Sequence, residues 1–176
     1  MRFTVLLCAP TTFKCFVFFC SGLWYLHERK IVHGDMKVQN IVVSQDLSKV
    51  KLCDFGVSRI RDKILATTTV NVRATKVFCA PEIVANKTGQ IFQTDIWSAA
   101  CAVMEIYIQR DPWDEVGPNE DRHSMIAENM AANQEPHALG VLAASHLETC
   151  KKIEKCFAYD ARKRPSAEEL FKAWIE

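Results

Sequence analysis

The residues able to do chemistry gather in short, ordered segments. The first reads His33-Gly34-Asp35-Met36-Lys37-Val38-Gln39-Asn40. It sets a carboxylate, a cation two residues on and an amide five residues on. The second, Asp54-Phe55-Gly56, begins nineteen residues after Asp35. Pro81 follows Phe55 by twenty-six residues, inside Ala80-Pro81-Glu82. These residue types supply what phosphoryl transfer demands: a carboxylate near the acceptor hydroxyl, hard oxygens for magnesium and positive charge for the phosphates. Each tripeptide alone is a weak signal. D-x-K-x-x-N is also a capped polar loop, and D-F-G is also a hairpin exit. The specificity lies in the ordered set and its spacing.

Regular elements must hold these segments. FKCFVFFCSGLWYLHE, residues 13–28, reads as a buried helix. Ile31 and Val32 lead into a loop around residues 33–40. Ile41–Ser44 and Lys49–Cys53 read as short strands split by the turn-like Gln45-Asp46-Leu47-Ser48. A polar loop runs from Gly56 to about Cys79, carrying Arg59, Arg61, Arg73 and Thr67-Thr68-Thr69. A loop this long in a small domain points to function. Pro81 and Glu82 open a short helix. TDIWSAACAVMEIYIQ, residues 94–109, is nearly apolar all round, the mark of a central buried helix. Asp95 sits at its start, where a carboxylate favours free backbone N–H groups. Residues 121–132 and 145–158 read as amphipathic helices. Ser166 is an N-cap before AEELFKAWIE, with Glu169 completing a capping box. The class is mainly α (α+β), with a small hairpin near the chemistry and no internal repeat.

Composition sets the bounds. A chain of 176 residues and 20.0 kDa, 49% hydrophobic, can bury one core. Lys and Arg number 22 against 21 Asp and Glu, so no global field attracts nucleic acid or an anionic membrane. Nucleic-acid binding also lacks a basic stripe or an aromatic platform. The eight cysteines form no C-x-x-C pair, which excludes a zinc ribbon and a thioredoxin-like motif. Most lie in apolar runs and read as reduced, buried thiols of a cytoplasmic chain, in preference to disulfides. MRFTVLLCAP faintly resembles a secretory signal, but Pro10, Thr11 and Thr12 break the run and Lys14 interrupts the next. No uncharged apolar run reaches the ~18 residues that span a bilayer.

The ordered motifs resemble the catalytic-loop, metal-loop and activation-segment signatures of eukaryotic protein kinases. The match runs from about residue 13 to the C-terminus and corresponds to the C-terminal lobe of that fold; residues 1–12 are left as an unassigned remnant. The resemblance implies a transferase that moves the γ-phosphate of ATP, with Mg2+, to a hydroxyl of a protein substrate. Asp35 would orient and deprotonate that hydroxyl, and Lys37 would reach the transferred phosphate. Asn40 and Asp54 would ligate magnesium, and Gly56 would permit the sharp turn after Asp54. Val42 would lie under the adenine, although ordinary core packing explains it as well. Cys53 would border the nucleotide pocket, with a buried strand residue the preferred reading. Lys37 and Thr75 match the serine/threonine-specific pattern. His33 and Phe55 resemble the stacked apolar residues of the active state. Asp95 resembles the carboxylate that holds the catalytic-loop backbone. Glu82 and Arg164 resemble a buried ion pair tying the activation segment to the last helices. For each of these the alternative is ordinary packing.

The chain departs from the family pattern twice. Gly34 stands where most members carry an arginine that receives an activation-loop phosphate. Phosphorylation at Thr67, Thr68 or Thr69 is therefore expected to activate weakly or not at all, unless Arg59, Arg61 or Arg73 substitutes. No Gly-rich loop and no strand lysine precede the catalytic loop, so the N-terminal β lobe is absent from the chain as written. Two functions follow. One is a serine/threonine kinase read as a truncated chain. The other is a non-catalytic kinase-like lobe that binds proteins, with a partner covering the apolar face left open. Magnesium-dependent ATP binding separates them.

Overall fold

A helix with no polar face has to lie inside the molecule, and α3 (Phe92–Ile108) does. Ile96, Trp97, Ala99, Ala100, Cys101, Ala102, Val103 and Met104 are all buried, on every side of the helix. The structure is a computed structural model that describes residues 9–46, 48–60, 76–85, 89–118 and 121–176. Thr67, Thr68, Thr69, Thr75, Arg61 and Arg73 lie outside the described residues.

The N-terminal helix, α1, spans Ala9–Glu28, so it begins before the expected residue 13. Pro10 is compatible with this, because a first-turn N–H has no intrahelical acceptor to lose. Phe16, Phe19, Cys20, Leu23 and Leu26 form its buried stripe, at helical spacing. The stripe packs along the last helix, α7 (Ala167–Ile175). Phe16 stacks on Trp174 with ring centroids 5.2 Å apart, and Trp24 on Phe171 at 5.4 Å. Lys30, at φ 60°, ends the α1 segment in a left-handed turn.

Four short strands form two antiparallel pairs: β1 (Ile31–Val32) with β4 (Arg59–Ile60), and β2 (Ile41–Val43) with β3 (Val50–Leu52). The β2–β3 hairpin lies where the sequence places it. The β1–β4 pair corrects two expectations. Ile31 and Val32 are a strand rather than a lead-in, and the segment after Gly56 is not loop throughout. Two-residue strands carry no periodicity of their own, so only pairing reveals them.

The remaining helices are α2 (Pro81–Val84), α4 (Arg122–Ala131), α5 (His137–Ser145) and α6 (Leu147–Ile153). The expected helix over 145–158 is divided: α6 passes into a tighter 3-10 turn at Glu154–Phe157. α5 was not anticipated. Its HALGVLAAS sequence has no polar face to mark it, and Ala138, Leu139 and Leu142 are buried. No helix among the described residues is long and apolar enough to cross a membrane. The fold is mainly α. Cys15, Cys20, Cys53, Cys101, Cys150 and Cys156 are free thiols. Burial pushes the Cys156 thiol up to about 12 and also raises those of Cys20 and Cys101 well above the ordinary thiol value.

Candidate active site

The loop after β1 is anchored by α3. Asp95 Oδ2 accepts the His33 N–H and Oδ1 the Gly34 N–H, both at 2.8 Å. His27 Nε2 lies 3.0 Å from the same Oδ2. Asp95 is fully buried, and a buried carboxylate needs such donors to offset its desolvation. Asp95 lies in the first turn of α3. Both of its oxygens are committed to other elements. The helix start is served instead by Thr94 Oγ1, which accepts the Ile91 N–H at 3.1 Å.

His33 is fully buried. Its Nε2 faces the Cys53 carbonyl at 3.1 Å, and its Nδ1 accepts the Asp35 N–H at 3.3 Å. These two contacts place the ring proton on Nε2. Ser58 Oγ donates to the His33 carbonyl at 2.8 Å. The Phe55 ring lies 5.1 Å from the His33 ring at 57°, a tilted contact rather than a stack.

Asp35 is the hub. Lys37 Nζ donates to Asp35 Oδ2 at 2.6 Å. Asn40 Nδ2 donates to the Asp35 carbonyl at 2.8 Å and to Oδ2 at 3.0 Å. Oδ1 has no partner among the described residues. The Asp35 and Lys37 side chains are 16% and 19% exposed, so both are reachable yet partly shielded from water.

The β2–β3 hairpin brings the second carboxylate to this hub. Cys53 N–H donates to the Asn40 carbonyl at 3.0 Å, just beyond the Ile41–Leu52 pairing. Asp54 therefore follows directly beside Asn40. It is exposed and left-handed, at φ 63°, a strained conformation for a non-glycine residue. Gly56 and Val57 form the turn that follows, closed by the Ser58 N–H on the Phe55 carbonyl at 3.1 Å, without a positive φ, which among the described glycines only Gly34 has. Gly56 donates its N–H to Asp54 Oδ1 at 3.3 Å. A Cβ at position 56 would lie 3.2 Å from that oxygen, so glycine permits the approach.

Cys53 is half-buried just past β3 rather than a buried strand residue. Val42 is exposed on β2. Glu82 and Arg164 meet in a bidentate pair, Nη1–Oε1 2.7 Å and Nη2–Oε2 2.8 Å. Arg164 also donates to the carbonyls of Ala158 and Gln93. Sequence reasoning missed His27, Ser58 and Gln90, whose Nε2 donates to the Gly34 carbonyl at 2.7 Å. None belongs to a motif or a periodic face that could have marked it.

The donor set suits magnesium. Asn40 spends its Nδ2 on Asp35 and keeps an amide oxygen, and Asp54 offers an exposed carboxylate; both are hard oxygens.

The family model for the protein kinase domain matches residues 11–175. The chain belongs to the protein kinase family. It is 33% identical over 150 residues to the serine/threonine-protein kinase BCK1/SLK1/SSP31 of Saccharomyces cerevisiae, covering 85% of this chain and 10% of that protein. It is 31% identical to the mitogen-activated protein kinase kinase kinase 17 of Arabidopsis thaliana, over 85% of this chain and 38% of that protein. It is also 31% identical to the serine/threonine-protein kinase fray1 of Dictyostelium discoideum, again over 85% of this chain and over 25% of that protein. The chain thus spans less than two-fifths of the length of these relatives.

Proposed function

We propose that residues 13–176 are the C-terminal lobe of a serine/threonine protein kinase that transfers the ATP γ-phosphate to hydroxyls of protein substrates. The observation that carries this is the Asp35 hub. One carboxylate is held by Lys37 and Asn40 within 3.0 Å and keeps a free oxygen. Asp35 accepts the proton of the substrate hydroxyl. Lys37, beside it, holds the negative charge of the phosphoryl group. Asn40 and Asp54 hold Mg2+, which when bound neutralises charge on the transferred group. The serine/threonine preference rests on Lys37 and on the names of the relatives.

The adenine face is built by β2, where Val42 stands exposed. Val42, Phe55, Val57 and Ile60 are exposed apolar side chains, which supports an upper lobe or partner that covers them. Sequencing the 5′ end of the native transcript tests the lobe reading. An upstream frame encoding a Gly-rich loop and a strand lysine is expected. In the enzyme so completed, Asp35→Asn is expected to lower phosphate transfer to a serine-containing protein by ~10²–10⁴-fold. Unchanged transfer would remove Asp35 from the catalytic role. An in-frame stop just upstream, with no magnesium-dependent ATP binding by the chain, favours the protein-binding module instead.

A further inference from the structure

We propose that Gln90 is a positioning residue for the Asp35 loop: its amide latches the Gly34 carbonyl and fills the space that any side chain at position 34 would need. The inference rests on the reading of Asp35 as the catalytic carboxylate. Gln90 stands just before α3 and is 6% exposed. Its Nε2 donates to the Gly34 carbonyl at 2.7 Å. Gly34 has φ 82°. A Cβ built there would lie 2.5 Å from Gln90 Oε1 and 2.7 Å from Cδ and Nε2. Those distances are below any van der Waals contact, so a side chain at 34 and the Gln90 amide exclude each other in this arrangement.

The latch bears directly on Asp35. The peptide before Gly34 is held through its N–H by Asp95 Oδ1, and the peptide after it through its C=O by Gln90 Nε2. Both planes flanking Gly34 are therefore pinned by side chains from residues 90–95. The second plane is the one that leads into Asp35. Without Gln90 that plane keeps only the 3.3 Å bond from the Asp35 N–H to His33 Nδ1, and a rotation about it would carry the Asp35 carboxylate away from Lys37 and Asn40. Glycine at 34 has no Cβ to resist that rotation, so the restraint has to come from elsewhere.

The state of Gln90 supports this role. Its Oε1 is buried without a hydrogen-bond partner among the described residues. An unpaired buried acceptor is unfavourable, and an apolar side chain of similar size would avoid it. The Nε2 bond to Gly34 is the contact that offsets it. The latch is a neutral amide within the chain, so it sets the loop without a phosphate.

The test is Gln90→Leu in the 176-residue chain, read by amide hydrogen exchange. The Gly34 and Asp35 amides are expected to exchange about tenfold faster, the equivalent of one lost hydrogen bond. The Cys101 amide, inside α3, is expected to keep its rate. Unchanged exchange at Gly34 and Asp35 overturns the proposal. If Gln90→Leu does not fold, Gln90→Glu gives the same comparison, since it keeps the length and replaces the donor by an acceptor. A second arm measures unfolding of Gly34→Ala, Gln90→Gly and the pair. The pair is expected to be less destabilised than the sum; strict additivity overturns the steric half of the proposal. Phosphate transfer separates this from the kinase reading. Where transfer is present, Gln90→Leu is expected to lower kcat and leave KM for ATP unchanged, and an unchanged kcat overturns the positioning role. Faster exchange in the chain, without any Asp35-dependent transfer in the enzyme completed by its upstream lobe, upholds the latch and overturns the kinase reading.

Discussion

Asp95 Oδ1 and Oδ2 each take one backbone N–H, and those two amides belong to the residues just before Asp35. A single buried side chain on α3 thereby fixes the height and direction of the loop that carries the chemistry. Asn has one carbonyl oxygen and one N–H2 group, so Asp95→Asn turns a donor toward a donor at one of the two amides. That amide is left unpaired in the interior. The expected loss is ~2 kcal/mol or more of stability, because the lost bonds are to a charged group. Urea unfolding of Asp95→Asn measures it; a loss below the error of the measurement would show that the anchor is dispensable.

Elements this short depend on the contacts that join them. α2 has four residues and cannot be stable alone, and the Glu82–Arg164 pair ties it to the segment before α7. The Arg164 side chain is wholly buried. Removing one partner strands a buried charge, so Arg164→Met is expected to cost ~3–5 kcal/mol. The double change Arg164→Met with Glu82→Leu is expected to recover much of that, since no charge is left uncompensated. Chemical denaturation of Arg164→Met, Glu82→Leu and the double variant reads the cycle. At the start of α7, Ser166 Oγ accepts the Glu169 N–H at 3.1 Å, and Glu169 Oε2 accepts the Ser166 N–H at 2.8 Å. Ser166→Ala is expected to lower the unfolding free energy by about 1 kcal/mol, measured the same way.

At the scale of the whole molecule, a half-buried carboxyl outside the site makes stability depend on pH. Glu105, on α3, is pushed up to about 7, first by burial and then by the nearby Asp111 carboxylate. Asp111 is itself paired with Arg122 at 2.7 Å. Glu105 Oε2 is buried with no hydrogen-bond partner among the described residues. Between its ordinary value of 4.5 and about 7 the folded chain holds a proton that the unfolded chain has released. Stability contributed by this group is complete below about pH 4.5 and is lost as pH rises to about 7. Glu105→Gln is expected to flatten that decline, seen as urea midpoints that differ less between about pH 5 and about pH 8. An unaltered slope in the variant would assign the decline to another group.

The sequence by itself determined whatever is set by neighbours along the chain. Asp35, Lys37 and Asn40 lie within five residues, so one turn suffices to bring them together. The β2–β3 hairpin then carries Asp54 to them through a short connection. The all-apolar face of α3, the stripe of α1 and the cap of α7 follow from local periodicity and local hydrogen bonding. Tertiary structure decided the rest. The β1–β4 pairing joins residues far apart in the chain, and neither two-residue strand carries a pattern. The left-handed backbone at Asp54 leaves no mark in the local pattern. The partners of Asp95 and Gln90 lie more than fifty residues away. A short-range pattern records which face of an element is buried. It holds no record of which distant polar group will meet it there, because that is decided only when the core closes.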